Sequence, residues 1–331
     1  MWDEAGLLRL TAGAQYAVVD PAAGGTVHRL ALVPRGSTKT DACVPEPIIA
    51  GDDPISPSPS VRRDSPGAFR GRLLVPFNDR IVGARYQWEN REHHLTVNEP
   101  ETGDAIHGFL YRSPFTIGGD EQETPGAGAA GELKLRTQLP QAEGYPFRLG
   151  VEASYRLQSS WFELTLRICN HGDRPAPLAA GWHPYFVIPS AAATVDELIL
   201  HVPTDRYVEV DTRLAPTGRV IPTAGTARDF SDPRRIGGAE IDDAFPAPRW
   251  PVTLSGGTRR VQVFAGGMFR MVQVFIPPDR RSVAVEPVTS PAEAFNLRDQ
   301  GHAELGCLVV DPGTCVSGTI QVKYCFAPTE G

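Results

Sequence analysis

The sequence lacks any apolar run long enough to cross a membrane. No stretch approaches the roughly 18 consecutive apolar residues of a transmembrane helix. The first ten residues, MWDEAGLLRL, are acidic, whereas a secretory signal begins with basic residues. Basic residues are in the minority: 32 Lys and Arg against 39 Asp and Glu give a net charge of -7, which provides no basic surface for nucleic acid or anionic lipid. We therefore predict a cytoplasmic protein that binds neither membrane nor nucleic acid, which leaves small neutral ligands as partners.

Motifs for metal and nucleotide chemistry are absent as well. The chain has no H-x-H, H-E-x-x-H or C-x-x-C spacing, so the sequence predicts no metal site. It also has no G-x-S-x-G elbow, no G-x-x-x-x-G-K-[ST] loop and no G-x-G-x-x-G after a strand, which disfavours nucleotide chemistry. Cysteine is scarce and odd in number, which favours buried free thiols and leaves a pair between Cys315 and Cys325 open. The five cysteines are Cys43, Cys169, Cys307, Cys315 and Cys325.

Helical periodicity is missing, and short strand-like runs take its place. No window of twelve or more residues keeps apolar positions at i, i+3, i+4 and i+7 without a Gly or Pro. The pattern predicts an all-β fold, a large antiparallel β-sandwich that forms a single domain over residues 1–331, with loops at 38–69 and 118–131. The predicted strands are RLALV (29–33), GRLLVPF (71–77), ELKLRTQL (132–139), RLGVEASYRL (148–157), WFELTLRICN (161–170), RRVQVFA (259–265), FRMVQVFI (269–276), RSVAVEP (281–287) and TIQVKYCF (319–326).

Polar side chains interrupt the apolar pattern in five segments. Buried ionisable groups are costly unless they are paired, so we expect scattered ones in a sandwich to converge on one site. Glu286 follows the apolar run SVAV and precedes Pro287, which is expected to end the strand and leave the carboxylate poorly solvated there. An ion pair with an arginine is an equally good interpretation of Glu286. The segments are PFNDRIVGARY (76–86), NEPETGDAIHGF (98–109), GWHPYF (181–186), EIDDAF (240–245) and VEPVTSPAEAFN (285–296).

Four further side chains in these segments have both a structural and a functional interpretation. A lone histidine in an aromatic strand, such as His183, is more often a core residue, although Pro184 predicts an edge or bulge that redirects side chains. His107 lies at a turn and suits a histidine bonded to the backbone. The position of Arg80 is also typical of a solvated arginine at the end of a strand, and the position of Asp242 is typical of a residue that caps a turn. The residues alone leave these alternatives open.

Taken in order, these segments resemble the aldose 1-epimerase (galactose mutarotase) family. The similarity extends over nearly the whole chain, and it depends on all the segments in order rather than on any one of them. The resemblance implies a β-supersandwich and an isomerase that interconverts the α and β anomers of an aldose without a cofactor. The matching segments are AAGGTVHRLAL, GRLLVPFNDRIVGARYQW, VNEP, AIHGF, AGWHPYF, EIDDAF, AVEPVTSPAEAFN and LVVDPGTCVSGTIQV.

The resemblance also implies roles for five side chains. Glu286 matches the family's general base and His183 its general acid. Opening a hemiacetal ring removes the proton of the C1 hydroxyl and adds one to the ring oxygen, so a base and an acid must flank the C1–O5 bond. An imidazole close to a carboxylate holds a proton near neutrality, and each such transfer is typically worth about 10² to 10⁴ in rate. The sugar-binding positions of the family match His107, Arg80 and Asp242.

Three positions depart from the family pattern, so the sugar stays unspecified. Trp182 precedes the histidine where better-known galactose mutarotases have asparagine, and Asp79 stands at the asparagine of the usual N-R-I motif. Phe109 stands where a second glycine is common. The GWHPYF form resembles a divergent branch of the family. We expect Trp182 and Tyr185 to belong to the core rather than to a sugar-binding face.

Two other functions stay open on the sequence. A hexose-6-phosphate epimerase of the same fold would need arginines beside the pocket, for which Arg72, Arg85 and Arg112 are candidates. A non-catalytic sugar-binding module would keep the cleft and lose turnover, although it could dispense with both Glu286 and His183. The expected partner is a small-molecule sugar, and the protein is expected to be a monomer or a homodimer.

Overall fold

A computed structural model describes the chain at residues 6–36, 44–51, 55–64, 67–118, 131–142, 144–189 and 194–327. Strands dominate these ranges, and helix is minor, as the sequence predicts. No helix within them has both the length and the apolar character needed to span a membrane. The α-helices are α1 (Pro59–Asp64) and α2 (Ala294–Asp299), and the 3-10 turns are Pro21–Ala23, Val82–Ala84, Leu110–Arg112 and Val195–Glu197.

The strands of the described residues are mostly short and are numbered here in chain order. The first thirteen are β1 (Leu8–Ala12), β2 (Gln15–Asp20), β3 (Thr26–Leu32), β4 (Glu46–Pro47), β5 (Leu73–Leu74), β6 (Arg80–Ile81), β7 (Arg85–Trp88), β8 (Arg91–His94), β9 (Ala105–Ile106), β10 (Thr116–Ile117), β11 (Glu132–Gln138), β12 (Leu149–Gln158) and β13 (Trp161–Asn170). The next fourteen are β14 (Ala176–Leu178), β15 (Gly181–Trp182), β16 (Tyr185–Phe186), β17 (Ile199–His201), β18 (Arg206–Val210), β19 (Pro216–Pro222), β20 (Arg234–Arg235), β21 (Asp242–Pro246), β22 (Val252–Gly256), β23 (Arg259–Gly267), β24 (Met271–Phe275), β25 (Val283–Val288), β26 (Leu308–Val310) and β27 (Cys315–Phe326).

Most predicted strands agree with the observed ones to within a few residues. The runs over 29–33, 132–170 and 259–326 correspond to β3, β11, β12, β13, β23, β24, β25 and β27. Over 71–77 only the short β5 forms, because Gly71 has a left-handed backbone (φ 71°) and Pro76 has no amide proton for a sheet. The prediction of a loop over 38–69 is wrong in part, since β4 and α1 lie within it. Most of the other predicted loop, 119–130, lies outside the described residues.

The strand pairs of the described sheets are all antiparallel. A nine-stranded sheet has the order β10-β11-β12-β13-β27-β23-β22-β17-β20, and a second sheet has the order β21-β24-β25-β15-β5, with β16 also paired to β25. A four-stranded sheet, β1-β2-β3-β4, and several two-stranded ribbons complete the fold. Phe162 of β13 contacts Trp182 of β15, with 5.9 Å between ring centroids, so the two large sheets pack on one core. The predicted antiparallel sandwich is confirmed.

The cysteines differ from the prediction. Cys169 and Cys315 lie opposite each other on β13 and β27 and form a disulfide, so neither is a free thiol. The pairing of Cys315 with Cys325 that the sequence left open does not occur, because sequence spacing does not reveal which strands are neighbours. Cys307 and Cys325 are free, and Cys307 is buried, as expected. Cys43 lies outside the described residues.

Candidate active site

The five side chains predicted to form a site line one cavity of about 240 Å³. Each comes from a different element, although more than 200 residues of chain separate the first from the last. The convergence agrees with the expectation that buried ionisable groups collect at one place. The five are Arg80 at the start of β6, His107 after β9, His183 between β15 and β16, Asp242 at the start of β21 and Glu286 within β25. Among the residues lining the rest of the wall are Phe69, Asn78, Asp79, Glu99, Tyr185, Gln273 and Phe275.

Glu286 lies inside strand β25 and not at its end. The strand continues through Pro287, which contradicts the prediction that this proline ends it. The proline is tolerated because the neighbour on one side of β25 is interrupted: β15 ends at Trp182 and β16 begins at Tyr185. On the other side, Glu286 lies opposite Gln273 of β24. The residue is only 3% exposed, and its carboxyl group faces the cavity.

His183 lies in the gap between β15 and β16. Pro184 has no amide proton to continue the sheet, so it interrupts an inner strand rather than an edge strand. The Nε2 atom of His183 is 3.5 Å from Oε1 of Glu286, which is longer than a strong hydrogen bond. The imidazole stacks on the ring of Tyr185, with an interplanar angle of 3°. His183 is therefore not a simple core histidine, because it faces the carboxyl group at the cavity wall.

His107 is held by the backbone of Asp79. The Asp79 amide donates to Nδ1 of His107 at 3.0 Å, and the His107 amide donates to the Asp79 carbonyl oxygen at 3.0 Å. Because Nδ1 accepts a hydrogen bond, a neutral His107 ring carries its proton on Nε2. The ring packs edge-on against His183, with 5.1 Å between centroids. His107 is thus both the predicted turn histidine bonded to the backbone and a cavity residue.

Arg80 and Asp242 are each held by another polar side chain. Arg80 donates two hydrogen bonds to Glu99, at 2.7 and 2.8 Å. The side chain of Arg80 is 21% exposed, so it is not a solvated strand-end arginine. Gln273 donates from Nε2 to Oδ1 of Asp242 at 2.7 Å. Asp242 pairs in register with Phe275 of β24 and is a strand residue rather than a turn cap.

Burial shifts the pKa values of Glu286 and His183 in opposite directions. Loss of solvent raises the pKa of Glu286 well above its ordinary value, and the nearby carboxyl groups of Asp79 and Asp242 raise it further. Loss of solvent lowers the pKa of His183 to about 3, and the charge of Arg70 adds to that effect. The opposite shifts favour a shared proton on Glu286 rather than on His183. Burial thus outweighs the expected stabilisation of an imidazolium by the carboxyl group.

The cavity contains more acidic than basic groups. Arg80 is the one arginine among the described residues that line it, whereas four carboxyl groups line the same cavity, those of Asp79, Glu99, Asp242 and Glu286. Its two hydrogen bonds lower the pKa of Glu99. Burial and the neighbouring Asp242 instead raise the pKa of Asp79 to about 7. A wall of this kind offers acceptors and donors for hydroxyl groups and little positive charge for a phosphate.

Several cavity residues were not predicted as site residues, among them Asp79, Gln273 and Tyr185. Asp79 appeared only as a departure from the family pattern, and Gln273 was passed over although it is a polar residue in the apolar run MVQVF. Tyr185 was expected in the core, but it lines the cavity, and its hydroxyl donates to the Ala68 carbonyl oxygen at 3.1 Å. The expectation for Trp182 is confirmed, because its side chain is fully buried in the core.

The arginines considered for phosphate binding lie elsewhere. Arg72, Arg85 and Arg112 do not belong to the described lining of the cavity. Arg72 is buried and donates to the Thr26 hydroxyl and to the Arg62 carbonyl oxygen, both at 2.9 Å. Arg85 and Arg112 are exposed. The requirement for arginines that converge beside the pocket is therefore not met by these three.

Comparison with known proteins agrees with this arrangement. The family model described as aldose 1-epimerase matches residues 26–323, which is most of the chain. The chain belongs to the aldose 1-epimerase family. The members of this family are isomerases that interconvert sugar anomers, so the predicted enzyme class and reaction are confirmed at the level of the family.

Relatives within the aldose 1-epimerase family include characterised and uncharacterised proteins. The chain is 28% identical over 243 residues to the uncharacterized protein YihR of Escherichia coli, covering 72% of this chain and 75% of that protein. It is 27% identical over 263 residues to maltose epimerase of Levilactobacillus brevis, and the match covers 74% of this chain and 76% of that protein. Human galactose mutarotase is 27% identical over 172 residues, which cover 52% of this chain and 46% of that protein.

Solved structures in the aldose 1-epimerase family share the fold at low sequence identity. A GalM/aldose epimerase homologue from C. elegans superposes with a TM-score of 0.80 at 15% identity, covering 98% of this chain and 99% of that one. Galactose 1-epimerase from Lactobacillus acidophilus superposes with a TM-score of 0.72 at 18% identity, and the match covers 97% of this chain and 95% of that one. These likenesses confirm the galactose mutarotase-like β-supersandwich.

Proposed function

We propose that this chain is an aldose 1-epimerase that acts on a free, uncharged hexose, with Glu286 as the base and His183 as the acid. The observation that carries the proposal is the approach of Oε1 of Glu286 to Nε2 of His183, at 3.5 Å, on the wall of one small cavity. A base and an acid on one wall can reach O1 and O5 of the same sugar ring, because both oxygens are bonded to C1. Family membership supports this assignment of the reaction.

The single proton held by Glu286 and His183 suffices for ring opening. When that proton moves from Glu286 to His183, the pair becomes a carboxylate and an imidazolium. The carboxylate takes the proton of the C1 hydroxyl while the imidazolium gives its proton to O5, and the C1–O5 bond breaks. The products are an open-chain aldehyde with a hydroxyl group at C5, a protonated Glu286 and a neutral His183. Rotation about C1–C2 and the reverse step produce the other anomer.

The remaining cavity residues are suited to hold the sugar hydroxyl groups. The Nε2–H of neutral His107 and the guanidinium of Arg80 are donors, and the carboxyl group of Asp242 is an acceptor that Gln273 keeps in position. Because Arg80 is already bonded to Glu99, the site favours a neutral aldose over a sugar phosphate.

The first experiment is polarimetric. The rate at which fresh α-D-glucose and α-D-galactose reach anomeric equilibrium is measured with wild type, Glu286→Gln and His183→Asn. Maltose is included because one relative is named maltose epimerase. We expect wild type to accelerate anomerisation and each variant to lose at least about 10²-fold of that acceleration, since each removes one proton transfer. Glu304→Gln and His171→Asn are matched controls at exposed positions and are expected to keep wild-type rates.

The outcomes separate the competing functions. Glucose 6-phosphate is assayed in parallel, and activity on it alone would favour the hexose-6-phosphate epimerase and contradict the preference for neutral sugars. Binding of a sugar without any acceleration would identify a sugar-binding module. Full activity in both Glu286→Gln and His183→Asn would contradict the assigned base and acid even if the protein is an epimerase.

A further inference from the structure

The imidazole of His183 has no strong hydrogen bond to orient it. Its Nδ1 atom is buried and has no hydrogen-bond partner among the other described residues. Its Nε2 atom lies 3.5 Å from Oε1 of Glu286, beyond the range of a strong hydrogen bond. A catalytic imidazole is usually oriented by a carboxylate or a carbonyl group that is bonded to its second nitrogen. The orientation of this imidazole therefore depends on the rings that pack against it.

Two rings pack against the imidazole of His183, and an arginine covers one of them. The ring of His107 approaches edge-on, with 5.1 Å between centroids, and the ring of Tyr185 lies parallel to the imidazole at 4.9 Å. The guanidinium carbon of Arg70 is 4.2 Å from the centre of the Tyr185 ring, which is within the range of a cation–π contact. Arg70, Tyr185 and His183 thus form one continuous series of contacts.

Hydrogen bonds fix the segment that carries Arg70. The guanidinium donates from Nη1 to Oγ of the buried Ser282 at 3.3 Å. The amide of Gly71 donates to the His183 carbonyl oxygen at 2.8 Å, and the His183 amide donates to the Arg72 carbonyl oxygen at 3.0 Å. The backbone on both sides of this contact is therefore held in register, so the arginine has a defined place over the tyrosine ring.

We propose that Arg70 is a positioning residue for the acid, which holds the ring of Tyr185 flat against the imidazole of His183 and so keeps Nε2 directed at Glu286. The inference rests on the proposed function, since it requires His183 to act as the acid. Arg70 is not among the described residues that line the cavity. It therefore acts through the tyrosine ring and not by contact with the sugar.

The charge of Arg70 adds a signature that a space-filling side chain would lack. The titratable and charged groups around His183 are Glu286 on β25, His107 after β9, Tyr185 on β16 and Arg70 before β5. Burial lowers the pKa of His183, and the positive charge of Arg70 lowers it further. Removal of that charge should raise the pKa of His183. The acid limb of the kcat/KM profile should then move to higher pH.

The test measures kcat, KM and the pH profile of wild type, Arg70→Met and Arg70→Lys with α-D-glucose and α-D-galactose, by polarimetry and after subtraction of the uncatalysed rate. We expect kcat to fall about tenfold in Arg70→Met, because the imidazole loses its orientation, while KM changes much less. The acid limb is expected to rise by about half a unit to one unit, as loss of one nearby charge predicts. Arg70→Lys keeps a cation for the ring, so it should retain most of kcat and the wild-type acid limb.

The matched control is another arginine that covers a tyrosine ring. Arg9 lies 3.8 Å from the ring centre of Tyr16, and neither belongs to the described lining of the cavity, so Arg9→Met should keep wild-type kcat and the wild-type pH profile. The inference is overturned, with the proposed function intact, if either kcat or the acid limb of Arg70→Met stays at its wild-type value. It is overturned in the same way if Arg70→Lys loses as much kcat as Arg70→Met. Failure of wild type to anomerise either sugar would instead overturn the proposed function and the inference together.

Discussion

At the scale of single residues, the pH dependence of activity follows from the proton shared by Glu286 and His183. The active pair holds one proton, so activity falls when the pair gains a second proton or loses the one it has. The second proton is gained only in acid, because the pKa of His183 is lowered to about 3. Loss of the last proton is displaced above the ordinary range of a carboxyl group, because burial and the neighbouring carboxyl groups raise the pKa of Glu286. We therefore expect a plateau of kcat/KM that is limited in acid by His183 and on its alkaline side by Glu286.

Asp79 provides a test of this account. Its negative charge raises the pKa of Glu286, so Asp79→Asn should lower that pKa and move the alkaline limb of the kcat/KM profile to lower pH, by about one unit. Asparagine also tolerates the left-handed backbone of residue 79, so the hydrogen bonds that hold His107 are expected to remain. Asp232→Asn is a matched control at an exposed position. An alkaline limb that stays in place or moves upward in Asp79→Asn would contradict the assignment.

The same residue illustrates what the sequence can and cannot predict about the site. The five predicted residues all line the cavity, because a family motif preserves residue type and order. Asp79, Gln273 and Tyr185 escaped prediction because their roles depend on which way a side chain points from a turn or a strand. Asp79 reaches the cavity from a left-handed backbone, and Gln273 does so by lying opposite Glu286 in the sheet. Neither fact can be obtained from residue type alone.

At the scale of elements, the disulfide between β13 and β27 makes a specific contribution to stability. Cys169 and Cys315 are 146 residues apart in sequence, so the bond restricts a long loop of the unfolded chain. We expect Cys169→Ser combined with Cys315→Ser to lower the free energy of unfolding by about 4 kcal/mol, measured by urea denaturation. Cys325→Ser, at a free and half-buried thiol, is the matched control and should cost less than about 1 kcal/mol.

Peptide mapping without reductant gives an independent check on the same bond. A peptide containing Cys169 should be found linked to one containing Cys315, and Cys325 should be alkylated. Equal stability of the double variant and the control, or recovery of Cys315 linked to Cys325, would contradict the expectation.

The existence of a strand can be predicted from local sequence, whereas the order of strands in a sheet depends on contacts between distant segments. The long strands β12, β13, β23 and β27 were predictable because alternating apolar residues define them locally. Their order in the sheet, β12-β13-β27-β23, was not, because β27 inserts between strands that are distant in sequence. The disulfide was missed for the same reason. The continuation of β25 through Pro287 likewise depends on a gap in the neighbouring strand, which only the assembled sheet reveals.

At the scale of the whole molecule, we propose that residues 1–331 form one cooperative domain. The main hydrophobic core contains buried residues from Leu8 on β1 to Tyr324 on β27, and both large sheets contribute to it. A core that includes strands from both ends of the chain cannot lose one part without exposing apolar surface of the rest. Trp182 lies fully buried between the sheets and lies 6.4 Å from Phe186 between ring centroids, so its fluorescence reports on the sandwich.

This proposal predicts a single unfolding transition. Urea curves followed by tryptophan fluorescence and by far-ultraviolet circular dichroism should coincide, because tertiary packing and strand structure are lost together. Phe186→Ala, at a fully buried position, should lower both midpoints equally and cost about 3–5 kcal/mol. If the chain contained two independent domains, the substitution would shift one transition and leave the other in place. Separate midpoints for the two signals would therefore reject the single domain, and a common shift is what one shared core requires.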